Sequence, residues 1–301
     1  SPDLTRVYLN FVQEAQLTEG GFHNRRSAEG LWTDTIGSDD SQGRAIWAAG
    51  VASRLGPEPW MRNVGLEIFD NQQQFTSPSP RANAFALLGA AEVLTTAHDN
   101  VGARRLLEQC VSHIRVPNDT RWPWPEVRLA YDNARLPEAL LAAGPLLADG
   151  DLIDTGLRLL EWLVDVETND GHFSFTPVRG WEPGEPRPGF DQQPVEAAAM
   201  ADACFRAWVL TGDAQWRTLV ERAARWFVGA NDADLSIYDP RTGGCGDGLG
   251  RDHINQNQGA ESTLAALSTL ERADRVRHLD RSPATGSSVS GPGRLSFGFA
   301  F

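Results

Sequence analysis

Carboxylates recur in this 301-residue chain at one place in a repeating pattern. Asp39 and Asp40 stand in GSDDSQG, Glu126 and Asp132 in WPWPEVRLAYDN, Asp191 in GFDQQPVE and Glu261 in NQGAEST. Each lies just before, or just inside, a run rich in small apolar residues. Around them are Trp32, Trp122, Trp124, Tyr131, Trp181, His172, His253 and Asn257. Indole and phenol rings stack on the apolar faces of sugar rings, while carboxylates, amides and guanidinium groups bond hydroxyls. Two carboxylates can also cut a glycosidic bond. A protonated one donates to the leaving oxygen and an ionised one activates water, with about 6.5–9.5 Å between them in the inverting geometry. Glu126 fits the acid, because Trp122, Trp124 and the prolines beside them desolvate it and raise its proton affinity. Asp40 and Asp191, at helix N-termini, are expected to stay ionised and suit water activation or sugar binding. Asp132 and Glu261 are reserve acids, and Asp39 is a binder.

Several of these residues have a plainer reading. SDDSQG is a good helix start, so Asp39 and Asp40 also fit as caps. Asp191 precedes a helix with proline near its beginning. Glu138, Glu196 and Glu261 sit in first turns, where the helix dipole favours any acid. His172 and His253 offer a different chemistry: an imidazole pair can move a proton next to a sugar carbonyl, as an epimerase or isomerase requires. A glycan-binding domain without catalysis is a third reading.

The elements that must hold these groups are helices. Apolar residues recur at i, i+3 and i+4 through most of the chain, and no segment alternates as a strand until the last few residues. Five helix starts align: SQGRAIWAAGVA, PRANAFALLGAA, RLPEALLAAGPL, QPVEAAAMADAC and QGAESTLAALST. Their fourth residues are polar (Arg44, Asn83, Glu138, Glu196 and Glu261), and small apolar residues follow. Small side chains let helices crowd around an axis. Between these inner helices lie five more amphipathic outer ones, at about 3–17, 57–75, 99–116, 150–167 and 213–229. Each hairpin reads as an outer helix followed by an inner one. Connections from inner to outer helices are short. Those from outer to inner are long at 18–42, 117–134, 168–192 and 230–257, and brief only at 76–80. Alternating helix direction then gathers the long loops at one end, with the inner-helix N-termini. The expected fold is all-α: a toroid of helical hairpins over 1–278, five clear and the sixth degenerate or absent. A Gly/Ser/Pro linker and aromatic stub follow at 279–301.

Composition narrows the function. Net charge is −13, which argues against nucleic acid or an anionic membrane as partner. All 27 basic residues are arginine, so lysine Schiff-base and P-loop chemistry are excluded. Cys110, Cys204 and Cys245 lack metal or disulfide spacing, which fits free thiols in a reducing cytoplasm. No signal peptide opens the chain, although a processed N-terminus would admit secretion. No apolar run reaches the ~18 residues of a membrane span. DPRTGGCGDG lacks the EF-hand spacing, and no metal or cofactor is expected.

The hairpin order and the acids in SDDSQGRAIWAAG, WPWPEVRLAYDNARLPEALL and FDQQPVEAAAMADAC resemble the six-hairpin glycosidase-like superfamily, over about residues 1–275. More narrowly they resemble bacterial members found beside sugar-processing genes. The resemblance implies an (α/α)6 toroid and, usually, inverting hydrolysis of a glycoside or oligosaccharide by two carboxylates. Five hairpins rather than six are visible in this chain.

Overall fold

A computed structural model describes residues 2–281, so residues 282–301, most of the expected linker and the aromatic stub, lie outside the described residues. Among the described residues ten α-helices run in chain order: α1 (Pro2–Ala15), α2 (Asp39–Leu55), α3 (Pro59–Asp70), α4 (Pro80–Thr96), α5 (Val101–His113), α6 (Arg135–Leu147), α7 (Gly150–Val166), α8 (Pro194–Thr211), α9 (Ala214–Trp226) and α10 (Ala260–Arg281). Polar residues start many of them. Ser38, Ser79, Asn100, Asp149 and Asp213 each accept a first-turn N–H with their side chains. The cap of α2 is therefore Ser38, and Asp39 and Asp40 occupy its first turn. The residue before α8 is Gln193, which makes no side-chain cap, so Asp191 is not spent on capping either.

The inner helices form a row in which α2 packs on α4, α4 on α6, α6 on α8 and α8 on α10. The outer helices α3, α5, α7 and α9 each cover the inner helix before them. The sequence had paired each outer helix with the inner helix after it. The short connections decide otherwise, because a few residues leave a helix no choice but to fold back on its predecessor.

Small residues set the closeness of the row. A Cβ on Gly50 would lie 2.2 Å from the Gly89 carbonyl oxygen, and one on Gly43 would lie 2.4 Å from that of Ala82. The α2 and α4 backbones touch there, and only glycine permits it. Beneath the surface α4 is buried from Arg81 to Leu94 and α6 from Arg135 to Gly144. Two minimal antiparallel hairpins interrupt the helical pattern, β1 (Thr168–Asn169) with β2 (His172–Phe173), and β3 (Tyr238–Asp239) with β4 (Gly244–Cys245). Both stiffen long loops, at the end where the inner helices begin.

Along the axis runs a chain of ion pairs. Arg135, within α6, reaches Asp132 at 3.1 Å, Glu138 at 2.7 Å and Asp202 of α8 at 2.9 Å, and its guanidinium lies 4.7 Å over the Trp47 ring. Asp202 also takes Arg272 of α10 at 2.7 Å, and Glu138 takes Arg206 at 3.3 Å. Burial alone would discharge these groups. The surrounding carboxylates nevertheless raise the Arg135 pKa, and Arg272 with Arg135 lowers that of Asp202. No described helix is long and apolar enough to cross a membrane.

Candidate active site

The loops before α8 and α10 meet over the start of those helices. Gln192 and Leu249 exchange backbone hydrogen bonds of 3.1 and 2.8 Å, and Leu249 also pairs with Ile254. Gln192 itself is buried. Its amide oxygen accepts from the Phe175 N–H and the Trp226 indole, and its nitrogen donates to Asp232. This bracing holds open a cleft of about 520 Å³ lined by Val178, Asp191, Gln193, Asp247, Gly248, Gly250, His253, Ile254, Asn255 and Gln256. Two carboxylates, an imidazole and three amides thus share one concave surface.

The two acids differ. Asp191 is exposed. Asp247 accepts the Gly259 N–H at 2.8 Å at the start of α10 and also the Asn257 amide. Slight burial opposes its charge, but the hydrogen bonds of Asn257, Ser262 and Gly259 outweigh it and hold its pKa below the usual carboxylate range. Asn257, expected as a substrate contact, is a support for Asp247. His253 is open to solvent beside Asp252. Glu261 is exposed on the first turn of α10.

A second polar group joins α2 to the loop before α6. The Tyr131 hydroxyl donates to Asp40 at 2.8 Å. Arg44 donates to the other Asp40 oxygen at 3.0 Å and reaches Asp132 at 3.0 Å. Burial and the bond to Asp40 push the Tyr131 hydroxyl up to about 12. Asp40 and Tyr131 are reachable by a ligand, whereas Asp132 is buried between Arg44 and Arg135 and belongs to the axial network. Its backbone has φ 53°, and the N–H groups of Asp132 and Asn133 are fixed by the buried Glu196 carboxylate.

Other expected residues are placed differently. Trp124 is 1 % exposed, so it is core and no platform. Trp122 is half-buried, packs edge-on against Trp162 and Trp181, and donates its indole N–H to the Glu126 carbonyl at 3.0 Å. Trp181 similarly bonds the Glu185 carbonyl. The prolines of WPWP turn the chain inward here, so the aromatics consolidate the loop. Glu126 is held by Arg81, which also binds the Tyr131 carbonyl and Asn133. Its carboxylate thus positions a loop instead of facing a desolvated pocket. Asp39 ties α2 to the loop before α4 through Ser77 at 2.6 Å. Trp32 is stacked 5.0 Å from His23 with Arg26 over its ring. His172 bonds Asp232 at 3.0 Å and does not line the cleft that holds His253, so the two imidazoles do not assemble as a pair there. Asp247 was not among the catalytic acids expected from sequence, and Gln192 and Gln193 were not singled out as site residues. The adjacent Gln192 and Gln193 beside Asp191 were the available signal.

No protein-family model matches the sequence, and no curated protein matches it. Solved structures share the fold. A sugar epimerase from a ruminal bacterium aligns over 93% of this chain and 86% of its own, with TM-score 0.64 and 13% identity. A D-mannose isomerase aligns over 90% and 82%, with TM-score 0.60 and 12% identity. A polysaccharide lyase aligns over 92% and 86%, with TM-score 0.55 and 12% identity. These neighbours are carbohydrate-processing enzymes on one (α/α)-toroid architecture. At such identities the likeness establishes the architecture, and chemistry has to be argued from the site.

Proposed function

We propose that this chain is a carbohydrate-active enzyme that cleaves a glycosidic bond in the cleft shared by Asp191 and Asp247. One observation carries the reading: two carboxylates from separate loops line the same concave surface, among amides that can bond hydroxyls. Asp247 is the base, because its hydrogen bonds keep it ionised. Asp191 is the acid. It is the exposed carboxylate of the pair and lines the cleft where a leaving oxygen would lie. This reverses the role Asp191 was expected to have. Tyr131, Asp40 and Arg44 extend the saccharide-binding surface. The substrate class is an oligosaccharide or glycoside, and water is the second reactant.

The test is a panel of oligosaccharides and aryl glycosides, followed by Asp191→Asn and Asp247→Asn on whatever substrate turns over. Each variant is expected to fold normally and to lose at least about two orders of magnitude in rate, and nuclear magnetic resonance is expected to show the inverted anomer first. Turnover unchanged in both variants sinks the reading.

His253 on the rim of the same cleft supports a second reading, in which it moves a proton next to a sugar carbonyl. Free reducing sugars in deuterated water separate the two: solvent deuterium in the product marks epimerisation or isomerisation, and hydrolysis leaves the carbon-bound protons in place.

A further inference from the structure

Among the described residues, the row of inner helices ends in α2 on one side and in α10 on the other. α4 and α6 are flanked on both sides, but α2 leaves Trp47, Val51 and Leu55 half-buried and Ala48 exposed, and α10 leaves Leu264 and Leu267 open at 64% and 46%. Helix α1 lies beside the α2 end. It is an outer helix with little to cover, and Leu9 and Ala15 are its only buried residues. Its outward side carries Leu4, Val7, Tyr8 and Phe11, exposed at 56%, 55%, 66% and 45%, with Phe11 also touching the Trp32 ring. That spacing is a single helix stripe. Between α1 and α2 runs an apolar groove of about 550 Å³, with Tyr8, Leu9 and Val12 on one wall and Trp47, Val51 and Leu55 on the other. Soluble monomers rarely leave an apolar surface of this kind uncovered.

We propose that this face is the interface of a two-fold homodimer, in which α1 of each copy lies in the α1–α2 groove of the other. The chain carries the ridge and the groove side by side. A two-fold axis therefore satisfies both at once with no other surface, which is the self-complementarity of an isologous contact. The result is a four-helix packing of two α1 and two α2 helices. The groove also selects a helix as occupant. Trp47, Val51 and Leu55 follow an i, i+4 row, which takes the ridges of another helix and gives no register to a segment alternating with period two. The four stripe residues expose roughly 400–500 Å², and the groove walls bring the area to about 600 Å² per partner, the low end of a standard interface. The stripe is uncharged while each copy carries −13, so added salt screens the repulsion and strengthens association.

Light scattering after size exclusion, on the full chain from about 1 to 100 µM, is expected to give twice the monomer mass, with the dimer fraction rising with salt. Val7→Asp and Tyr8→Glu change exposed positions, so each variant should keep its helical spectrum and melting point as a monomer while raising the dissociation constant at least about thirtyfold. A monomer throughout this range overturns the proposal. So does a dimer indifferent to both substitutions, which places the contact elsewhere. A monomer whose α1 loses hydrogen-exchange protection when residues 282–301 are removed assigns the groove to the chain's own C-terminal segment, and overturns it as well.

Discussion

Asp191 and Asp247 reach one cleft from loops more than fifty residues apart, and their partners set what each can do. Asp247 receives an amide and a backbone N–H, whereas Asp191 faces solvent. A buried acid shows the opposite balance. Burial pushes the Glu167 carboxyl up to about 7, against the hydrogen bonds from Thr176. The folded protein thus holds a proton that the unfolded chain releases near pH 4.5. The stability Glu167 contributes is complete below that pH and is lost as pH rises through about 7. Glu196, raised by burial and by Glu167 and Asp132, acts in the same direction. The melting temperature is expected to fall between about pH 5 and 7.5. Glu167→Gln keeps the oxygen that Thr176 bonds and should flatten that slope in a thermal melt series. A slope identical in the variant would assign the titration to another group. Trp124 gives a second check. Trp124→Ala should cost roughly 3–5 kcal/mol in a denaturant titration, and a variant that stays stable yet binds sugar weakly would restore the platform role.

At the scale of elements, the α2–α4 contact decides how tight the row is. Helix propensity by itself predicts that Gly50→Ala stabilises, by about 1 kcal/mol. The backbone contact predicts the reverse, since the new Cβ would meet the Gly89 carbonyl oxygen at 2.2 Å. We expect a loss of about 1–3 kcal/mol or more from overpacking, read as a lower urea midpoint, and a raised midpoint would show that the helices can separate freely. The loops show the same dependence on neighbours. WPWP packs into an aromatic cluster because Trp162 and Trp181 are there to receive it. The loop before α10 is braced by Gln192, from the loop before α8.

The whole molecule is tied by charges along its axis. Asp202 joins Arg135 of α6 to Arg272 of α10, so one side chain links three inner helices. Asp202→Ala leaves two buried guanidinium groups without that partner and should cost about 3–5 kcal/mol, with little relief from added salt because the site is shielded from solvent. A surface-like cost under 1 kcal/mol would mean that water or another acid replaces Asp202. The same network extends to Arg44 and, through Asp40, to Tyr131, so the exposed pair at the loop end stands on the buried core.

The sequence by itself determined the helices, their inner and outer kinds, and the gathering of long loops at one end. These follow from local periodicity and from connection lengths, which neighbours in the chain dictate. It also marked Asp40, Asp191, Tyr131 and His253, because loop residues before inner helices have little else to pack against. Only the tertiary structure decided which acids share a cleft, since Asp191 and Asp247 are brought together by pairing between two distant loops. Only it separated Trp124 from a binding role and Asp132 from an accessible one, because burial depends on what the rest of the chain places opposite. The pairing of each inner helix with the outer helix after it was decided there too, because short connections fold each outer helix back on its predecessor.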